Sequence, residues 1–227
     1  RIRVIHQPNG GVSAARNTAL DVVKGQYVTF LDADDRLPPD ALAIRARFFA
    51  DHPDVDIVNG GVSITRGGRV VQQYRPDLQQ GPFATRLARL EEGVFMGLFY
   101  MLRVDRIGKH RFPVGISHCE DMIFFLTLAQ SVGLIYGAVA DTVYEYRITP
   151  GSAMSNLYGL ESGYLEFLRV SAELGGIDAA TRKYQLRRVS QVLFRSWLRR
   201  GRPIRALQSV FRAHRVVARG QTWCIST

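Results

Sequence analysis

Three aspartates within four residues carry the clearest chemistry in the sequence. Asp32, Asp34 and Asp35 follow the apolar run at residues 27–31, where the chain leaves a predicted strand. Like charges this close repel one another unless a cation or hydrogen-bond donors compensate them. Carboxylates at alternate positions offer the hard oxygen ligands of Mg²⁺ or Mn²⁺, which can bridge to the phosphates of a nucleotide diphosphate. The alternative is that they cap a helix beginning near residues 38–39, although one aspartate would suffice for that.

The elements before these aspartates predict a βαβ unit that would position them. Residues 2–6 alternate as a short strand, and an Asn-Gly-Gly turn leads to a helix at about residues 14–24. Ser13 can cap the start of this helix, and Gly25 can end it. The near-continuous apolar run at residues 27–31 is typical of a strand buried in a parallel sheet. Ligands of such sheets gather at the carboxyl ends of the strands, which is where the three aspartates lie.

The composition limits the class of protein. With 227 residues, 46% of them hydrophobic and 22% charged, the chain can bury a core as one large domain or two small ones. Its longest uncharged apolar run, residues 93–102, is far shorter than the roughly 20 residues of a membrane-spanning helix. Cys119 and Cys224 fit neither a metal-binding spacing nor a disulfide framework, and residues 1–4 do not resemble a signal peptide. A cytoplasmic setting is therefore predicted.

The net charge of +10 is concentrated in one part of the chain. Residues 182–219 hold twelve Lys and Arg and no Asp or Glu, which leaves 18 basic and 20 acidic residues elsewhere. The excess of positive charge therefore belongs to the C-terminal region and not to the body of the protein.

A family resemblance rests on the residues around the aspartates. Residues 10–17, Gly-Gly-Val-Ser-Ala-Ala-Arg-Asn, precede Phe-Leu-Asp-Ala-Asp-Asp by some fifteen residues. This combination resembles the central motif of family 2 glycosyltransferases, inverting sugar-nucleotide enzymes with the GT-A fold. The resemblance implies that Asp32 and Asp34 bind a divalent cation, Mg²⁺ or Mn²⁺, and the nucleotide of a UDP-sugar or another NDP-sugar, with Asp34 as the direct metal ligand. It places Arg16 and its neighbour Asn17 in the nucleotide site.

A second element of the family is expected 80 to 100 residues later. Residues 115–130 place Glu120 and Asp121 at the start of a predicted amphipathic helix, and this pair resembles the family's "ED" motif. The resemblance implies that Asp121 is the catalytic base, which removes the proton of the acceptor hydroxyl as that oxygen attacks the anomeric carbon. The alternative is a capping box formed by Ser117 and Glu120. The distance from the first motif favours the ED motif.

A third element follows in the predicted strand at residues 144–147 and the loop at residues 148–155. It resembles the "YR…PGS" segment of the family, which implies that Arg147 and Ser152 lie near the diphosphate and neutralise the leaving group. A solvated arginine at a strand end is the alternative for Arg147. Many relatives carry a histidine in this loop that completes the metal shell, and Thr149 stands at that position here. The third protein ligand of the metal therefore stays open.

The sequence signals for an acceptor-binding site are less specific than those for the nucleotide site. By analogy with the family, acceptor contacts lie between the first two motifs, which makes Tyr100, His110 and His118 candidates, although each such residue is more often a packing or surface residue. The expected acceptor is a hydroxyl of a saccharide or lipid-linked saccharide in bacterial-type surface polysaccharide synthesis.

The resemblance also predicts the organisation of the chain. Family members begin with strands ending in Pro-x-Tyr-Asn and Asp-Asp-Gly-Ser-x-Asp, and neither occurs here. We therefore expect an N-terminally truncated α/β chain: a GT-A mostly parallel sheet flanked by helices and lacking its first βαβ half at residues 1–155, and a basic helical region at residues 156–227. Such a piece is not expected to turn over alone.

Further elements follow from local patterns. The middle of the chain predicts a helix at residues 39–51, a strand at residues 55–64 and a hairpin at Gly67-Gly68. The C-terminal region predicts three helices: one that ends near Leu174, one at residues 179–199 and one that follows Pro203. The second and third helices each show an apolar face: Leu186, Val189, Leu193 and Trp197, and then Ile204, Leu207, Val210 and Phe211.

Several functions of the basic region stay open. Its cations can simply face solvent, or they can bind anionic phospholipid at the inner leaflet of the plasma membrane, which would make the protein peripheral there. A nucleic-acid surface is the rival class, but it leaves the three aspartates unexplained, so no nucleic acid is expected. A non-catalytic relative that binds nucleotide sugars is a further alternative, as is a nucleotidyltransferase or phosphatase.

Overall fold

The computed structural model describes residues 2–94, 97–149 and 156–221, with side chains described through residue 218. Ser152 therefore lies outside the described residues. The helices are α1 Gly11–Val22, α2 Ala41–Asp51, α3 Phe83–Ala88, α4 Val104–Ile107, α5 Glu120–Val132, α6 Leu157–Glu173, α7 Ala179–Arg199 and α8 Pro203–Gln221. The strands are β1 Tyr27–Thr29, β2 Ile57–Arg66, β3 Arg69–Tyr74, β4 Gly81–Pro82, β5 Met101–Arg103 and β6 Ile135–Arg147. No helix in these ranges is long and apolar enough to cross a membrane.

One mixed sheet holds all the described strands. Its order is β1-β5-β2-β6-β4, and β3 forms the predicted hairpin with β2. Only β2 and β6 pair in parallel among these strands, so the expectation of a mostly parallel sheet is wrong. The reason lies in β5, which enters between β1 and β2 and runs antiparallel to both.

The predicted first strand is absent from the described structure. Residues 2–6 are irregular and exposed, because no described strand flanks β1 on its outer side to supply a hydrogen-bond ladder. β1 is accordingly a three-residue edge strand, and Leu31, predicted to be buried, is 48% exposed.

The main core lies between the sheet and α5. Phe83, Tyr100, Phe125 and Tyr136 are fully buried there, with ring centroids 4.9 to 6.4 Å apart in their closest pairs. α5 was predicted to be amphipathic, but it is buried on nearly all sides. The reason is that it packs against α3 and α6 as well as against the sheet. This burial fixes the start of α5, where the ED motif lies.

α2 packs on the sheet through one narrow face. Its buried residues are Ala41, Arg45 and Phe49, whereas Leu42 is 49% exposed. Arg45 can be buried because its guanidinium donates to the carbonyl oxygens of Ala41 at 2.9 Å and Phe99 at 3.1 Å. Burial lowers the pKa of Arg45 to about 10.

The C-terminal helices form a bundle against α5. The predicted bounds of α7 are confirmed, and Asp178 caps it by accepting from the Thr181 backbone N–H at 2.9 Å. Its predicted face is also confirmed, since Val189, Leu193 and Trp197 are buried and Leu186 is partly buried.

The apolar face predicted for α8 lies on the exposed side of the helix. Ile204, Leu207 and Phe211 are exposed, whereas the small residues Ala206, Ser209 and Ala213 are fully buried. Small side chains let α8 lie close to α7, so the larger apolar residues face outwards.

Candidate active site

The segment after β1 is fixed to the end of β6. Arg36 and Glu145 exchange two backbone hydrogen bonds, at 3.1 and 2.9 Å. Asp35 is buried and accepts from the Tyr144 hydroxyl at 2.7 Å and from the Arg147 backbone N–H at 2.8 Å. Burial raises the pKa of Asp35, and these two donors oppose the shift. Asp35 is therefore an anchor of the segment and not a helix cap, since α2 begins at Ala41 without a side-chain cap.

The anchor leaves the other two aspartates facing solvent. Asp32 and Asp34 are both exposed. One carboxylate oxygen of Asp34 accepts from the Thr149 hydroxyl at 3.1 Å, and its backbone carbonyl accepts from the Nε of Arg147. Arg147 and Thr149 of the third motif thus contact the Asp-Ala-Asp motif directly.

Arg16 connects the first two motifs. It projects from the buried face of α1, donates to Glu120 at 2.8 Å and to Asp32 at 3.1 Å, and lies 5.4 Å from the centre of the Phe112 ring. The side chains of Arg16 and Glu120 are 9% and 11% exposed, so this ion pair is buried. One cation therefore compensates a carboxylate from each motif.

The residues around Arg16 correct two expectations. α1 begins at Gly11, three residues earlier than predicted, and Ser13 is buried inside its first turn without acting as a cap. Gly11 has a φ of 80°, which favours glycine at this turn. The structure brings Asn17 to the Phe112 backbone, where it donates at 2.9 Å and accepts at 2.7 Å, and not to the aspartates.

The start of α5 holds the predicted catalytic pair. The capping-box alternative is wrong, because Ser117 hydrogen-bonds His118 at 2.9 Å and Glu120 binds Arg16. Asp121 accepts from the Met122 backbone N–H at 2.8 Å. Burial, and then the charge of Glu120, raise the pKa of Asp121 to about 6. A carboxylate with a pKa near neutrality is a better proton acceptor than an ordinary aspartate.

His118 lies against α6 and not among the aspartates. It is buried, and a Cβ added at Gly159 would lie 2.3 Å from its ring, while one added at Gly163 would lie 2.3 Å from its carbonyl oxygen. A cavity of about 330 Å³ opens beside it, lined by residues that include Gly115, Ser117 and Ser162. The other acceptor candidates differ: Tyr100 is in the core, and His110 is half-buried against the Ile107 carbonyl.

Two contacts of the site were not predicted, namely that of Tyr144 with Asp35 and that of Arg16 with Glu120. The Tyr144 hydroxyl reaches Asp35 across 109 positions of sequence, and no local pattern indicates this contact. The Arg16–Glu120 pair joins residues 104 positions apart, and nothing local indicates it.

The carboxylate oxygens at this site fit a divalent cation that phosphate oxygens of a bound nucleotide also coordinate. Within residues 2–94, 97–149 and 156–221, no group of three or more His, Cys, Asp or Glu could hold a metal ion by itself. Mg²⁺ in nucleotide sites usually takes one or two carboxylates together with phosphate oxygens. Asp32 and Asp34 supply this smaller set.

Comparison with known families agrees with the motif. The model of the family described as "Glycosyl transferase family 2" matches residues 1–109. Two relatives from Bacillus subtilis (strain 168) carry provisional names. EpsH, named a glycosyltransferase, is 30% identical over 155 residues, which are 65% of this chain and 45% of EpsH. TuaG, named a teichuronic acid biosynthesis glycosyltransferase, is 26% identical over 157 residues, which are 69% of this chain and 60% of TuaG.

A solved structure agrees with the fold. The crystal structure of S. aureus TarS 1-349 in complex with UDP-GlcNAc matches with a TM-score of 0.60 and 20% identity, over 93% of this chain and 65% of that chain. The fold is therefore of the GT-A type. The chain spans less than two thirds of the length of each of these three proteins.

Proposed function

Because the chain belongs to glycosyl transferase family 2 over residues 1–109, we propose that it serves in the transfer of a sugar from a nucleotide diphosphate sugar to an acceptor hydroxyl, with inversion at the anomeric carbon. The observation that carries this proposal is the Arg16 bridge, which holds Glu120 of the ED motif and Asp32 of the Asp-Ala-Asp motif on one side chain. A donor site and a base must lie side by side for transfer, and this bridge brings the two motifs together.

We favour a UDP-sugar as the donor, since S. aureus TarS binds UDP-GlcNAc with a similar fold. We favour a saccharide or lipid-linked saccharide acceptor, since TuaG carries the name of a polysaccharide-forming enzyme. Both assignments concern the whole protein that contains this chain.

The donor diphosphate would lie against the exposed edge formed by Asp32 and Asp34. These two carboxylates would hold Mg²⁺ or Mn²⁺, which when bound would neutralise charge on the leaving diphosphate. Arg147 contributes positive charge at the same edge, because only its Nε is used by the Asp34 carbonyl. Thr149 orients the Asp34 carboxylate by donating a hydrogen bond to one of its oxygens. We also assign Ser152 to the diphosphate, by analogy with the family motif.

Asp121 is the proposed base. It accepts the proton of the acceptor hydroxyl while that oxygen bonds to the anomeric carbon and the bond to the diphosphate breaks. Attack from the face opposite the diphosphate inverts the configuration. Glu120 acts as a positioning residue, because its contact with Arg16 fixes the first turn of α5.

The cavity beside Ser117 and Ser162 is the proposed entry of the acceptor. Ser117 in its lining precedes Asp121 by four residues of sequence, and the cavity offers hydroxyl and backbone groups suited to a sugar. We do not assign His118 a contact with the acceptor, because its ring packs against Gly159.

Calorimetric titration of UDP with and without Mn²⁺ tests the donor site. We expect Mn²⁺-dependent binding to the unmodified chain that Asp34→Asn abolishes. The matched control is Asp54→Asn, which removes the same charge from an exposed aspartate before β2. Equal binding by Asp34→Asn and the unmodified chain would contradict the donor site. Binding without hydrolysis of UDP-GlcNAc by the longest available form of the protein would indicate the non-catalytic alternative.

A further inference from the structure

α8 exposes a ridge of large apolar side chains. Ile204, Leu207 and Phe211 are 72%, 65% and 62% exposed. Their spacing of three and four residues places them along one side of the helix. The opposite side is already packed, since Ala206, Ser209 and Ala213 are fully buried. The ridge therefore has no partner within the described residues.

The ridge continues into a groove between α7 and α8. The groove has a volume of about 590 Å³, and Leu186, Phe194 and Val210 contribute apolar side chains to it. Lys183, Arg187 and His214 also line it. Since Val210 and His214 precede and follow Phe211 on α8, ridge and groove form one apolar surface, which we call the α7–α8 face.

Cations without acidic partners lie on the α7–α8 face and elsewhere on these two helices and the turn between them. Six of them form no ion pair anywhere in the described part of the chain: Lys183, Arg187, Arg195, Arg199, Arg202 and Arg215. Arg215 lies 5.7 Å from the centre of the Phe211 ring, so charge and apolar surface are in direct contact. Residues 182–219 contain no Asp or Glu that could pair with these cations.

This combination selects among the possible partners. A second copy of the chain would bring two cationic surfaces together, and like charges oppose that contact. A nucleic acid would use the arginines but would leave Ile204, Leu207 and Phe211 in water. An anionic bilayer uses both features, because apolar side chains enter the region between headgroups and acyl chains while lysine and arginine bind the phosphates.

We propose that the α7–α8 face docks the protein on an anionic phospholipid bilayer, with Ile204, Leu207 and Phe211 inserted below the headgroups. α8 lies in the plane of the interface in this arrangement and does not cross the membrane, which agrees with its composition. The proposal does not rest on the sugar-transfer activity, because no residue of the candidate active site takes part in it.

Sedimentation with vesicles tests the apolar part of the proposal. We expect binding to mixed phosphatidylcholine–phosphatidylglycerol vesicles and little binding to pure phosphatidylcholine. Ile204→Ser/Leu207→Ser/Phe211→Ser should weaken the partition coefficient by at least about tenfold, since three partly inserted side chains lose their burial. The control is Val70→Ser/Val71→Ser, at sites 57% and 54% exposed on β3. It should bind as the unmodified chain does.

A second set of variants tests the charges. Arg187→Gln/Arg202→Gln/Arg215→Gln should weaken binding by roughly fivefold for each arginine, because each basic residue near an anionic surface contributes about that factor. The matched control, Arg47→Gln/Arg66→Gln/Arg69→Gln, removes the same charge from exposed sites on α2 and the β2–β3 hairpin. It should keep most of the affinity.

Four outcomes would overturn the proposal. They are no binding to the mixed vesicles, equal binding to neutral vesicles, full binding by the Ile204/Leu207/Phe211 variant, and equal losses in the two arginine variants. Analytical ultracentrifugation adds another, namely a dimer of the unmodified chain that the ridge substitutions dissociate without changing vesicle binding. Binding to duplex DNA that survives the ridge substitutions, with no vesicle binding, would instead identify a nucleic-acid surface.

Discussion

The guanidinium of Arg16 donates to the carboxylate of Glu120 at 2.8 Å, although the two residues are 104 positions apart. Both side chains are buried, and the second arm of the same guanidinium reaches Asp32 at 3.1 Å. The position of α5 relative to the Asp-Ala-Asp motif therefore depends on one cation from α1. Removing one member of a buried ion pair is costly, because the other charge is left without compensation.

Arg16→Met should destabilise the protein by about 3–5 kcal/mol, because it leaves Glu120 buried and unpaired. Arg16→Met/Glu120→Leu should lose clearly less than the sum of the two single variants, since neither charge then remains. Urea unfolding of the four proteins measures both effects. Additive losses would contradict the pairing.

Activity should depend on the protonation of Asp121. Burial and the neighbouring Glu120 raise the pKa of Asp121 to about 6, and only the ionised carboxylate can accept a proton. We expect kcat/KM to fall about tenfold per pH unit well below pH 6 and to level off above it. Asp121→Asn should lower kcat by about 10²–10⁴ and leave UDP binding unchanged. A pH profile that is flat between pH 5 and 7 in an active form of the protein would contradict the role of this group as the base.

The same raised pKa predicts a pH-dependent stability. The folded state binds the Asp121 proton more tightly than the unfolded state, so the free energy of unfolding falls as pH rises from about 4 to about 6. Asp121→Asn lacks this loss and should be more stable than the parent above pH 6, by up to about 3 kcal/mol. Thermal unfolding at pH 4.5 and 7.5 checks the sign, and a gain at the lower pH alone would contradict it.

Local sequence signals predicted the positions of helices and strands better than they predicted which helix faces are buried and which distant residues are in contact. The bounds of α7 were correct because Asp178 caps its start and a Gly-Arg-Pro sequence follows its end. The exposure of the predicted apolar face of α8 was not foreseen, because an amphipathic pattern does not say which side a neighbouring helix will cover. Ala206 and Ala213 allow the closer approach, and the larger residues remain outside.

The candidate active site was predicted only in part, because local signals again revealed its motifs but not its long-range contacts. The spacing of Asp32 and Asp34 is local and indicated a shared cation. The separate role of Asp35 depends on Tyr144, which is 109 residues away, and could not be recognised without the sheet register. Likewise, His118 is next to Glu120 in sequence, but the glycines of α6 decide where its ring lies.

Gly163→Ala should disturb the start of α5. The added Cβ would lie 2.3 Å from the His118 carbonyl oxygen, and backbone on both sides prevents an easy adjustment. We expect a loss of about 1–3 kcal/mol in the free energy of unfolding, together with lower activity. Gly175→Ala is the control, because no atom lies within 4 Å of its added Cβ. Equal effects of the two substitutions would show that α5 and α6 are not in close contact at Gly163.

Tyr144→Phe should loosen the Asp-Ala-Asp motif without removing any of its carboxylates. The Tyr144 hydroxyl donates to Asp35 at 2.7 Å, so its loss leaves a buried carboxylate with one hydrogen bond fewer and costs about 1–3 kcal/mol. Because Asp35 anchors the exposed Asp34, Mn²⁺-dependent UDP binding should weaken as well. Tyr74→Phe, on the exposed hairpin strand β3, is the control and should change neither quantity. If Tyr144→Phe lowers stability but leaves UDP affinity intact, then Asp35 serves the fold alone, and the geometry of the nucleotide site is maintained by the Arg147 and Thr149 contacts.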